Sequence, residues 1–242
     1  MFIIPFNPES EEEKLRIRLA GAVKANPEDI SEVFVKNYLK SQGFYSSNNL
    51  EQMSSDVLQL PLLTYPFIDY ILTAELESRE LTELGSGNST ILFSTLFKRV
   101  TSYETEEEWV NQTSRKVGKN TNIIHITRES IENADFDIEN IDCLLIDFAG
   151  KRTKFISSYL KKTQTAAPVI FLDNSDLYRI GVNLLHEAGY KEIPFYGLKS
   201  GQSWISCTSV FVNDIDRALV NRKFVSNSYT KNGYKNSWDS IE

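Results

Sequence analysis

The chain of 242 residues is short of most side chains that announce a chemistry. It has two cysteines, Cys143 and Cys207. Each sits inside an apolar run, which excludes a disulfide scaffold and points to two buried, reduced thiols. Of the two histidines, His125 falls in a strand-like run and His186 in a helix-like one, so both read as structural. Long apolar stretches are missing too: none approaches the roughly 18–20 residues of a membrane span. The opening residues 1–6 lack the basic start and the length of a signal-peptide core. No membrane partner and a cytoplasmic location are the resulting expectations. Basic charge is in deficit, with 26 Lys and Arg against 33 Asp and Glu, a net charge of -7. That balance argues against broad electrostatic binding to nucleic acid. With only 11 Gly and 7 Pro, collagen-like and low-complexity classes are out.

What is present is core-forming material. Hydrophobic residues make up 41% of the chain, and 3 Trp, 11 Tyr and 14 Phe supply ample burial. The length suits one domain with an appendage. Residues 1–78 read as a helical cap or lid. Ser10 to Glu13 forms a capping-box pattern ahead of Leu15, Leu19 and Val23. Asn26-Pro27 offers an N-cap before a stripe of Ile30, Val33, Phe34 and Tyr38. Ser46 to Gln59 is polar and loop-like, and Phe67 to Glu77 is helical again. Residues 215–242, rich in Asn, Ser and Lys, read as a tail.

Between them, residues 79–214 alternate strands and helices. Strands are expected at Glu80–Leu84, Val100–Glu104, Asn122–Ile126, Ile141–Asp147 and Pro168–Asp173. Helices are expected at Ser89–Phe97, Glu106–Val117, Thr153–Lys162 and Leu177–Ala188. Such alternation implies an α/β fold, a doubly wound, Rossmann-like parallel sheet with helices on both faces. Tyr190–Tyr196 and Trp204–Val212 are joined by too few residues for a helical crossover, so they should pair antiparallel at one end.

Leu84-Gly85-Ser86-Gly87-Asn88-Ser89 leads from a strand into a helix. Glycine allows the tight turn and the close approach of a ligand, and the helix start offers free N–H groups. Glu104 ends the next strand, 17 residues after Gly87, about where doubly wound folds place the acid that accepts both ribose hydroxyls. The ligand is then a dinucleotide or S-adenosylmethionine. Thr90 stands where a dinucleotide loop wants its third glycine.

Over about residues 60–212 the chain resembles the class I S-adenosylmethionine-dependent methyltransferases, and among them it is most similar to small-molecule O-methyltransferases. Glu83-x-Gly85-x-Gly87 resembles the family's first motif and Tyr103-Glu104 its ribose-binding acid. Ile141 to Asp147 resembles the fourth strand, Val169 to Ser175 the fifth, and the terminal strand pair the reversed seventh. Ser89 replaces a loop glycine, and Phe148 replaces the glycine that often follows the fourth-strand acid. The resemblance implies a seven-stranded sheet, cofactor contacts from Glu83, Gly85, Ser86, Gly87, Glu104 and Asp147, and Glu129 or Ser130 near the adenine. It implies transfer of a methyl group to a small-molecule acceptor, at a hydroxyl oxygen, with Asp147 or Asp173 deprotonating it. Asp147, Asp173 and Asn174 together resemble the divalent-metal site of catechol-type enzymes, so that Mg2+ would orient and acidify the hydroxyl. Lys151, Arg152 and Lys154 follow Asp147 at the mouth of the crevice, where they read either as groups that attract an acidic acceptor or as a solvated helix start. The rival readings are a degenerate methyltransferase-like binding domain and an NAD-dependent oxidoreductase.

Overall fold

In a computed structural model of the chain, the described residues are 61–200, 202 and 204–213, together with Lys36. The chain divides into two compact units, Met1–Gln42 with Phe224–Glu242, and Gly43–Lys223. Every element below belongs to the second. The helical stripes expected before residue 43, the loop at 46–59 and the tail at 215–242 lie outside the described residues, apart from the helical Lys36.

The sequence from Tyr65 alternates as expected. Helix α1 spans Tyr65–Leu72, then come β1 Glu80–Leu84, α2 Asn88–Leu96, β2 Arg99–Glu104, α3 Glu107–Ser114 and β3 Thr121–His125. A five-residue helix, α4 Arg128–Glu132, precedes β4 Cys143–Ile146, α5 Arg152–Lys162, β5 Val169–Asp173, α6 Arg179–Glu187, β6 Lys191–Gly197 and β7 Ser206–Val212. The short α4 was not expected, because one turn leaves no periodic apolar stripe. Thr127 caps it through its hydroxyl, 3.1 Å from the Ser130 N–H.

The seven strands form one sheet in the order β3-β2-β1-β4-β5-β7-β6. The first five are parallel, and β7 enters antiparallel between β5 and β6. This is the Rossmann-like α/β sheet with an antiparallel terminal pair that the sequence predicts. The parallel strands in the middle are apolar on both faces, as parallel strands covered by helices must be: β4 and β5 are buried throughout and apolar up to Asp173 at the end of β5. One face packs on Phe155, Ile156 and Tyr159 of α5. On the other, Phe67 of α1 meets Phe171 and Phe195 edge-on, with ring centroids 5.4 and 6.1 Å apart. Edge strand β6 carries Pro194, a position where the missing N–H costs least.

Chain order reverses direction between β1 and β4, the place where an open α/β sheet leaves a crevice at its strand ends. None of the helices among the described residues is long and apolar enough to cross a membrane.

Candidate functional site

A cleft of about 430 Å³ opens at that switch point. Its walls come from the β1–α2 turn, the end of β2, the start of α3, the ends of β4 and β5, and the β6–β7 connection.

The β1–α2 turn is built on two glycines with different duties. Gly85 has a φ of +95°, and a Cβ there would stand 2.5 Å from the Asp147 carbonyl oxygen. Glycine is therefore needed for the backbone shape and for the close approach of β4. Gly87 has no atom within 4 Å of where its Cβ would be. It borders open cleft, so a side chain there would fill ligand space. Below the turn, Glu83 is completely buried and ties β1 to α2. Its carboxylate accepts from Ser89 Oγ at 2.5 Å and from Thr90 Oγ1 at 2.6 Å. Burial pushes its pKa up to about 7, against the hydroxyl hydrogen bonds that favour the charged form and with added repulsion from Glu104. Glu83 thus supports the loop from beneath and is not on the cleft wall.

Glu104 lies across the turn. Its Oε2 accepts from the Ser86 N–H at 2.6 Å, and its Oε1 from the N–H groups of Thr105 at 2.7 Å and Glu106 at 2.9 Å. Gly85, Ser86, Gly87, Glu104 and Asp147 all line one cleft. Glu129 and Ser130 do not. Glu129 is exposed, and Ser130 is occupied with Thr127 at the start of α4. Trp109 of α3 does line the cleft, with half its surface exposed. The turn, the acid and an exposed aromatic face fit an adenosine: glycine for close approach, a carboxylate for hydroxyls, a ring for stacking.

At the other end, four charged side chains interlock. Arg152, the first residue of α5, is buried. It donates from Nε to the Phe148 carbonyl at 2.9 Å, from Nη1 to the Asp173 carbonyl at 2.7 Å, and from Nη2 to Asp147 Oδ1 at 2.8 Å. Lys199, from the β6–β7 connection, donates to Asp173 Oδ2 at 2.5 Å, and Thr208 Oγ1 donates to Asp173 Oδ1 at 2.7 Å. Asn174 has a left-handed φ of 54°, a shape asparagine tolerates. With its amide oriented to suit its neighbours, it donates to Asp173 Oδ2 at 2.7 Å and accepts from Ser206 Oγ and Lys199 Nζ at 3.0 Å each. The Asp173 side chain is 2% exposed and that of Asp147 is 19% exposed. Burial, then repulsion from Asp173, raises the Asp147 pKa, while Arg152 and Lys199 pull against the rise.

These contacts correct two expectations. Asp147, Asp173 and Asn174 do come together, but they do not fit Mg2+. A divalent site needs carboxylate oxygens turned to a common point and free of cations. Here an ammonium and a guanidinium already balance the two carboxylates. Among the described residues there is also no group of three or more His, Cys, Asp or Glu side chains placed to hold a metal. The second correction concerns the basic groups after Asp147. Arg152 is no mouth residue but a buried strut, and Lys154 pairs with Glu132 at 3.6 Å. Lys199 and Thr208 were not legible as site residues. Only the insertion of β7 beside β5 brings them to Asp173. The cysteines and histidines are bystanders, as expected. Burial pushes the Cys143 thiol up to about 12, which leaves it inert.

No protein-family model matches the chain, and no curated protein matches it. Solved structures do. One is a precorrin-6y C5,15-methyltransferase from Geobacter metallireducens, with 16% identity and a TM-score of 0.48, over 61% of this chain and 87% of that one. Another is an rRNA methylase from Streptococcus thermophilus, with 16% identity and a TM-score of 0.45, over 64% of this chain and all of that one. A third is Aeropyrum pernix fibrillarin with natively bound S-adenosyl-L-methionine, with 14% identity and a TM-score of 0.45, over 57% and 68%. At such identities the fold assignment rests on the strand order itself, with β7 reversed between β5 and β6.

Proposed function

We propose that the protein is an S-adenosylmethionine-dependent methyltransferase acting on a small-molecule acceptor, at a hydroxyl oxygen. One observation carries this reading. The open Gly87 turn, Glu104 and Asp147 share one cleft at the switch point of the sheet, and the reversed β7 flanks it. The bound cofactor would supply an electrophilic methyl on a sulfonium. This chain's residues do the rest. The β1–α2 turn passes close to the ligand because Gly87 has no side chain. Glu104 accepts ribose hydroxyls, exchanging its contact with the Ser86 N–H for them. Trp109 offers a face to the adenine.

Asp147 is the better base of the two acids proposed. It is partly open to the cleft, and its raised pKa makes it a stronger proton acceptor than an ordinary aspartate. Asp173 has both oxygens occupied and is almost fully buried, so it positions rather than reacts. Walls of the cleft hold the reactants in line and keep water out. The acidic balance of the chain supports a small acceptor over a nucleic acid. The cofactor half is tested by calorimetry with S-adenosylhomocysteine and, in parallel, NAD. Saturable binding of the first alone is expected. Binding of NAD alone would replace this reading with an oxidoreductase, and cofactor binding without methyl transfer to any acceptor would leave a degenerate binding domain.

A further inference from the structure

Lys199 is the most heavily buried cation in the cleft, with 2% of its side chain exposed. Burying an ammonium is costly unless it is paired and fully hydrogen-bonded. Here the chain goes to some length to place it. Leu198, its neighbour, accepts from the Tyr65 N–H at 3.0 Å, and Lys199 itself bridges to Thr64 beside α1. The ammonium reaches Asp173 Oδ2 at 2.5 Å and Asn174 Oδ1 at 3.0 Å. Those are the oxygens a divalent ion at this end of the cleft would bind, at about 2.0–2.1 Å for magnesium. The two occupants exclude each other by distance and by charge.

We propose that Lys199 is the resident cation of this site: its ammonium takes the place of a divalent metal between Asp173 and Asn174, and holds Asp173 as a support beside Asp147. Lys199 is then a positioning residue, and methyl transfer runs with no metal. The role in transfer rests on the methyltransferase reading above, whereas the cation assignment rests on the contacts alone.

The test uses the full chain, stripped with chelator and dialysed. Manganese chloride is titrated into the wild type, Lys199→Ala and Asp173→Asn, and free Mn2+ is read by electron paramagnetic resonance. S-adenosylhomocysteine is titrated into the same samples by calorimetry. The wild type should leave Mn2+ free up to about 1 mM, the weak end of biological divalent sites. Lys199→Ala should bind one Mn2+ at least about tenfold more tightly than the wild type. Stoichiometric Mn2+ uptake by the wild type that is lost in Asp173→Asn overturns the proposal, and this comparison stands even if Lys199→Ala does not fold. A folded Lys199→Ala with no gain in Mn2+ binding overturns it too. If Mn2+ behaves as expected but S-adenosylhomocysteine does not bind, the methyltransferase reading fails and the cation assignment survives.

Discussion

At the scale of single residues, the cleft turn depends on what lies beneath it as much as on what faces the ligand. Gly85→Ala forces an L side chain into a left-handed φ, at about 1–2 kcal/mol, and drives its Cβ into the Asp147 carbonyl. A loss of at least about 2 kcal/mol is expected, a fall of roughly 4–8 °C in the thermal midpoint for a domain of this size. Gly87→Val should hold its midpoint near that of the wild type, with about 1 kcal/mol lost at the helix cap, and yet fail to bind S-adenosylhomocysteine. A thermal-shift series on both variants separates the two duties, and normal ligand binding by Gly87→Val would mean that the loop is misassigned. Glu83 gives a pH signature. Its folded pKa of about 7 lies above that of the unfolded chain. The wild type therefore loses stability through this group as pH rises from about 4.5 to about 7, by roughly 3 kcal/mol at full extent. Glu83→Gln does not titrate, so its midpoint relative to wild type should climb between pH 5 and pH 8. A difference that stays flat with pH would show that Glu83 is not held in a desolvated pocket.

At the scale of elements, the start of α5 locks the ends of β4 and β5 together. Arg152 spends its planar fork on the Phe148 and Asp173 carbonyls and on Asp147. Arg152→Met leaves buried Asp173 and half-buried Asp147 with one cation and should cost about 3–5 kcal/mol in urea denaturation. Arg152→Lys should recover only part of that, because one ammonium cannot match three acceptors set in a plane. A loss below about 1 kcal/mol in both variants would contradict the strut role. Elements were also where the sequence was most legible. Of the parallel strands, β4 and β5 betray themselves as short apolar runs, and the glycines mark the turn after β1. Helix ends slipped by a few residues: Leu177–Ala188 became Arg179–Glu187, and Glu106–Val117 became Glu107–Ser114. Trp204 and Ile205 were expected in the last strand, but they are exposed and precede β7, which starts at Ser206. Hydrophobicity alone does not fix where pairing with β6 begins.

At the scale of the whole molecule, legibility followed sequence distance. Gly85, Gly87 and Glu104 were readable because a local strand–turn–helix and one further strand suffice to bring them together. The charge balance around Asp173 was not readable. Lys199 and Thr208 reach it only through the insertion of β7 between β5 and β6, a contact 26 and 35 residues away in the chain. The metal expectation failed for the same reason: two facing carboxylates need a cation, and the sequence gives no sign that the chain brings its own. Joining these parts into one cofactor cleft is the central claim. It is tested most directly by calorimetric titration of S-adenosylhomocysteine into the wild type and into Glu104→Ala. One saturable site is expected in the wild type, weakened in the variant by roughly 1.5–3 kcal/mol, or about 10- to 150-fold in dissociation constant. No binding to the wild type, or equal affinity in a folded Glu104→Ala, would contradict it.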